Sequence, residues 1–272
     1  VCTLVVRVPA ARSEVPLLLL GVRDELIDRP WLPPARHWPG LPVIGGQDLQ
    51  AGGTWLAVHT EIPRAACVLN GRGTPAPSVG RRSRGDVPLR AVTRGADELA
   101  RRLRGSETVA RYDPFYLVYG EPSCAELVSW DGTAVRTESL APGTHLLTND
   151  GRTYFQAADG AIPAEVAASS ARAGYFGPRF AAPSPELGAR CPADAVWQAW
   201  RGLAAGDGLP ADDPRALIVR RELAGGRRWG TSSVSLVAVG RSGVRYDFQG
   251  TPGDQAAWRT VSGAPAGLRT AL

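Results

Sequence analysis

Short apolar runs and alternating stretches along the chain assign most of its elements. Residues 3–8 (TLVVRV) and 17–22 (LLLLGV) read as strands, and the Pro, Ala, Arg and Ser between them suit a loop. The chain therefore opens with an antiparallel hairpin that puts Cys2 at a strand end. Residues 29–42, rich in Pro and Trp, read as irregular; a glycine-bearing stretch follows over 45–53, then strands over 54–58 and 65–69. Leu and Ala at helical spacing predict a helix over 96–103. Residues 115–119 and 125–130 form a strand pair that ends in the Asp131-Gly132 turn signal. Helical patterns return over 163–173 and 193–203. Strands are predicted again at 216–221, 234–239 and 244–248, the last two joined by a turn at 241–243.

Strands, then helices, then strands favour an α+β arrangement with helices on sheet faces. At 272 residues the prior lies between one and two domains. No repeat is visible, and the Gly/Pro/Ala-rich piece over 181–192 reads as a loop, so one domain over 1–272 is expected. The composition, 44% hydrophobic and 21% charged, is that of a folded globular chain.

Net charge is +5, yet all 31 basic residues are arginine and lysine is absent. That skew fits a GC-rich coding bias better than a basic binding surface. The clusters Arg81-Arg82 with Arg84 and Arg101-Arg102 with Arg104 lack interleaved aromatics and read as solvated faces, so no nucleic-acid partner is expected. No apolar run reaches the ~18 residues of a membrane span. Cys2, Cys67, Cys124 and Cys191 show neither a disulfide framework nor zinc spacing, which points to a reducing, cytoplasmic setting.

Residue 1 is Val in a chain with no Met, which suggests an alternative start codon written literally. Were the initiator removed ahead of the small second residue, Cys2 would become the amino terminus. Such a residue holds a nucleophilic thiol and a possible base, an α-amine with a pKa near about 8, in one place.

Several segments occur in a fixed order: Cys-Thr-Leu at the start, GVRDELIDRP (21–30), HWPG (37–40), IGGQDLQAGGTWLAV (44–58), CVLNGRG (67–73), SRGDVP (83–88) and APGTHLLTND (141–150). Together they resemble the NRDE family, also called the transport and Golgi organisation 2 family. The resemblance is dense over 1–90, returns at 141–150, and is weak elsewhere. It implies the fold of the N-terminal nucleophile hydrolases, a four-layer αββα sandwich, whose thiol members such as the choloylglycine and penicillin V acylases cleave non-peptide amides. It also implies Cys2 as the active-site nucleophile.

Arg23 and Asp24 match the Arg-Asp of the family's naming motif, which here reads Val-Arg-Asp-Glu. An Arg at the end of the second strand could lower the Cys2 thiol pKa, and Asp24 could hold the α-amino group. The alternative is a surface ion pair near a turn. Asn70 and Asn149 are the only asparagines, and both fall at motif positions. In the related acylases comparable asparagines help form the oxyanion hole; as plain turn residues they would precede Gly71 and Asp150-Gly151. Gly45, Gly46, Gly52 and Gly53 read as backbone devices, with Asp48 and Trp55 matching the family stretch around them. There is no phosphate loop.

One departure stands out. Members often carry Gly-Thr-Arg-Ser near a late strand, whereas this chain reads Gly230-Thr231-Ser232-Ser233, with Arg227 and Arg228 only upstream and read as surface residues. His37, His59 and His145 lack metal-binding spacing; His145, near Asn149, is read first as structural. The preferred function is therefore a cytosolic thiol hydrolase acting on the carbon–nitrogen bond of a small amide or acyl substrate, with no cofactor and no metal. The alternative is a non-catalytic haem or acyl-lipid binding and trafficking protein on the same scaffold.

Overall fold

The computed structural model describes residues 2–10, 16–104, 107–122, 124–155, 170–182, 193–251 and 257–262. Its strands are β1 (Thr3–Val8), β2 (Leu17–Leu26), β3 (Trp31–Ala35), β4 (Val43–Asp48), β5 (Leu56–His59), β6 (Ala65–Asn70), β7 (Phe115–Glu121), β8 (Cys124–Trp130), β9 (Val135–Ser139), β10 (Gly143–Thr148), β11 (Gly151–Phe155), β12 (Arg220–Glu222), β13 (Arg228–Gly240), β14 (Gly243–Gly250) and β15 (Arg259–Ser262). Its helices are α1 (Val87–Arg94), α2 (Ala96–Arg104), α3 (Ala171–Ala181) and α4 (Ala193–Ala204).

Two antiparallel sheets account for the strands. The first runs β11-β10-β1-β2-β13-β14-β15, with β12 also paired to β13; the second runs β3 to β9 in chain order. Consecutive strand side chains point to opposite faces, and β2 shows how this builds layers. Leu18, Leu20 and Val22 enter one core with Phe176, Phe180, Trp197 and Trp200 of α3 and α4. Leu17 and Leu19 face the other way, into a core shared with Leu56, Cys67, Leu69 and Val118 of the second sheet. A strand buried on both faces needs a continuous apolar run, which is why the Leu17–Leu20 stretch is unbroken. On the far side of the second sheet, Val87, Ala91 and Val92 of α1 and Leu99 and Leu103 of α2 pack against Ala57, Ala66 and Leu117. The outcome is the four-layer αββα sandwich that the resemblance implies.

Several expectations are corrected. The stretch 29–42 is not wholly irregular: it contains β3, an edge strand that accommodates Pro33 and Pro34 because no partner needs their missing N–H groups. The strand expected over 54–58 begins at Leu56 and reaches His59. The one expected over 216–221 is confined to Arg220–Glu222. Of the helix expected over 163–173, Ala171–Ala173 fall in α3, which is capped by Ser170, whose side chain accepts from the Ala173 N–H, and which runs on to Ala181, into the expected loop; 163–169 lie outside the described residues, as do 183–192 of that loop, with Cys191. Among the described residues no helix is long and apolar enough to cross a membrane.

Candidate active site

Cys2 immediately precedes β1, where Thr3 pairs with Val22 of β2 on one side and Thr148 of β10 on the other. One step further along the same register brings Cys2 level with Arg23 and Asn149. The alternation along β1 puts Leu4 and Val6 between the sheets, and Cys2 shares that face. Its Sγ donates to the Asp24 backbone carbonyl at 3.5 Å. A cleft of about 660 Å³ opens here, lined by Cys2, Arg23, Asp24 and Asn70 together with Asp48, Trp55 and Arg84.

Arg23 and Asp24 are neighbours in sequence and so point to opposite faces of β2. Arg23 faces the second sheet: its guanidinium donates to Asp48 Oδ2 at 3.1 Å and to Ser232 Oγ at 2.9 Å, and lies 4.5 Å from the Trp55 ring centroid. Its side chain is only 6% exposed, so the Asp48 carboxylate is what makes burying this charge tolerable. Asp48 itself is fixed by Arg29 at 2.6 Å and by the Gln50 and Ala51 N–H groups. Burial pushes its carboxyl up, but the Arg29 hydrogen bond, the Ala51 amide and the two arginine charges outweigh that and hold it below the usual range.

Asp24 faces the helices. Its Oδ1 accepts from Thr231 Oγ1 at 2.7 Å, and its Oδ2 accepts at 3.3 Å from Arg172 on α3, which also donates to Thr3 Oγ1 at 2.7 Å. Burial still holds the Asp24 carboxyl above its ordinary value, with Arg172 pulling the other way. The irregularity that serves both faces is in β13. Thr231 pairs with Asp24 and Ser233 with Arg23, so Ser232 is the extra residue of a bulge. It receives the Arg23 guanidinium and donates to the Arg23 carbonyl at 3.2 Å.

Arg23 acts on the Cys2 thiol in the expected, lowering direction, but the net shift is upward. Burial and the Asp24 charge raise its pKa, and these exceed the lowering by the Asp24 backbone hydrogen bond and by Arg23. Arg23 is committed to Asp48 and Ser232, so its charge is not directed at the sulfur alone.

Asn70 ends β6 at the cleft. Asn149 follows β10, and its Oδ1 is buried with no hydrogen-bond partner among the described residues. The glycines act as close-approach positions. A Cβ on Gly46 would lie 2.3 Å from the Trp55 ring, and one on Gly53 2.3 Å from the Gly85 backbone. The second contact, with the Thr54 N–H donating to the Gly85 carbonyl at 2.8 Å, brings the Arg84-Gly85 turn onto the cleft wall. Arg81, Arg82 and Arg84 therefore line the cleft; Arg81 is exposed, as a solvated face requires, whereas Arg84 is half-buried, and Arg101, Arg102 and Arg104 lie on the outer surface of α2, exposed.

Sequence reasoning missed Arg172, Arg29, Arg84 and Ser232. Asp48 and Trp55 carried a signal, since both fall in a motif, but without a role. Arg172 had none: it is one arginine among 31, 148 residues from its partner Asp24. Arg228 is largely exposed and lies 3.8 Å from Asp28, away from the cleft. The histidines lie off the cleft as well. His37 meets the Pro33 carbonyl, His59 Nδ1 accepts from the Glu61 and Ile62 N–H groups, and His145 sits between the Ala141 carbonyl and Arg152. Among the described residues no three His, Cys, Asp or Glu groups are placed to hold a metal ion, and Cys2, Cys67 and Cys124 are free thiols.

The layering and the cleft define an αββα sandwich with a candidate thiol site at one end of its inter-sheet core. Residues 1–160 match the family model Transport and Golgi organisation 2, more than half of the chain, and the chain belongs to that family. None of the curated proteins matches it. Among solved structures it is similar to a mutant of the conjugated bile acid hydrolase from Clostridium perfringens, with 9% identity over 96% of this chain and 92% of that one and a TM-score of 0.47. It is also similar to the Caenorhabditis elegans ortholog of N-acylethanolamine-hydrolyzing acid amidase, with 12% identity over 88% and 93% and a TM-score of 0.40.

Proposed function

We propose that this protein is a thiol-type N-terminal nucleophile hydrolase that cleaves the carbon–nitrogen bond of a small amide, with Cys2 as nucleophile and amino terminus of the mature chain. The observation that carries the reading is the position of the Cys2 sulfur: at the end of β1, in the cleft, held by the Asp24 carbonyl and faced by Arg23.

The chemistry follows from the raised thiol pKa. The neutral α-amine of Cys2 takes the Sγ proton as the sulfur adds to the substrate carbonyl carbon, so no thiolate has to persist in a buried site. Negative charge then develops on the carbonyl oxygen, for which the side-chain amides of Asn70 and Asn149 are the donors. The ammonium returns its proton to the leaving nitrogen as the C–N bond breaks, leaving a thioester on Cys2. Water, giving a proton to the same amine, adds to the thioester and releases the acid, restoring the thiol. Asp24, anchored by Thr231 and Arg172, positions the backbone around the amine and sulfur.

Release of amine from acyl amides tests this reading. Cys2→Ala should lose all turnover, and blocking the α-amine by a residue retained ahead of Cys2 should do the same. With the amine as base, kcat/KM should rise with pH through about 8, the range of an α-amine; undiminished turnover in Cys2→Ala would refute the proposal. The haem-binding alternative gains nothing from the histidines, none of which lines the cleft.

A further inference from the structure

Among the described residues, the cleft's charges are paired except at one place. Arg23 and Arg29 share Asp48, Arg81 lies 3.6 Å from Asp113, and Arg82 lies 2.8 Å from Asp86. The Asp24 carboxylate is taken from the helix side by Arg172. Arg84 is half-buried, and among the described residues it has no carboxylate within ion-pair distance; its one hydrogen bond is from Nη1 to the Pro114 carbonyl at 3.0 Å. Burial lowers its pKa, with Asp113 acting in the opposite direction, and it lines the same cleft as Cys2.

Arg84 is also held in place. The Ser83 hydroxyl accepts from the Gly85 N–H at 3.1 Å and the Gly85 carbonyl accepts from Thr54, so both of its neighbours are fixed. The Pro114 carbonyl that receives Arg84 also receives the Gly71 N–H at 2.9 Å, next to Asn70. A pre-positioned guanidinium with free donors, half out of water and beside the proposed oxyanion donor, is what bidentate recognition of a carboxylate requires.

We infer that Arg84 binds an anionic group of the substrate, so that the site takes a small amide carrying a carboxylate, such as an N-acylated amino acid. This rests on the proposed hydrolase reading for the amide but not for the anion. Arg84 is a specificity residue; the bond broken lies at Cys2.

The test uses N-acetylglycine and its neutral counterpart N-acetylglycinamide, titrated calorimetrically into the Cys2→Ala protein so that binding is read without turnover. The carboxylate should bind at least about tenfold more tightly, as a charge-assisted hydrogen bond predicts. Adding Arg84→Gln should bring the two within about twofold by weakening only the carboxylate, and Arg84→Lys should restore part of the preference. Equal binding of the two ligands, no binding of either, or a preference that survives Arg84→Gln would overturn the inference. Release of glycine or glycinamide by the unaltered protein reports on the other reading: preference without turnover refutes the hydrolase and keeps the anion site, and turnover without preference does the reverse.

Discussion

At the scale of single residues, the Arg23–Asp48 pair shows how this site is held together. A guanidinium buried this far is stable only while its carboxylate is present, and removing one partner of such a pair typically costs ~3–5 kcal/mol. Asp48→Ala should therefore lower stability by about 3 kcal/mol at pH 7, the Ser232 and Trp55 contacts retaining part of the environment. The pH dependence has a definite sign. Asp48 has a folded pKa below its unfolded one, so its contribution is present above about pH 4 and lost as pH falls through the folded value. Asp24, raised by burial, runs the other way, its ionisation opposing the fold near neutrality. The gap between the wild type and Asp48→Ala in urea denaturation should be largest at pH 7 and narrow towards pH 3. A gap that does not change with pH would show that the loss is not one of charge pairing.

At the scale of elements, each strand end places one functional group and each glycine removes an obstacle. Gly53→Ala puts a methyl against the Gly85 backbone, which cannot yield as a flexible side chain would. It should cost roughly 1–3 kcal/mol, as overpacking does, and should move the Arg84 turn off the cleft, so N-acetylglycine affinity falls while that of the neutral amide stays. Loss of both in parallel would indicate general collapse of the cleft. The same scale shows what the sequence revealed. The β1 span and the first residues of β2 are legible because each is a dense apolar run bounded by loop residues, and both span and pairing agree with the structure. The polar extension of β2 through Arg23-Asp24-Glu25 is not, since its burial depends on β13 and α3, far along the chain. Helix α1 escaped because it is eight residues long and follows an arginine- and glycine-rich stretch, so its apolar face spans barely two turns. Cys2, Arg23, Asp24 and Asn70 were found through motif order and do meet at one cleft; Arg172 and Ser232 depend on a helix docking and on a bulge, which leave no local trace.

At the scale of the whole molecule, the inter-sheet core fixes the distance between the Cys2 strand ends and the Arg84 wall. Leu19 lies fully buried in that core. Leu19→Ala should cost about 2–5 kcal/mol through lost transfer energy and a cavity, visible as a lower urea midpoint, and it should loosen the register of the two cleft walls, raising KM for a carboxylate-bearing amide more than it lowers kcat. An effect on kcat alone would mean that the sheets do not set the binding distance. The arginine excess also reads differently at this scale: much of it is solvated, as on α2, but among the described residues the part that reaches the cleft is matched to acids except at Arg84.

The most direct test of the account is one mass spectrum of the mature protein, quenched in acid during turnover of an acyl amide. The account predicts a chain that begins at Cys2 and carries one acyl group, mapped to the Cys2 sulfur and absent from Cys2→Ala. A chain that turns the amide over with a residue still ahead of Cys2, or an acyl group on any other side chain, would contradict it.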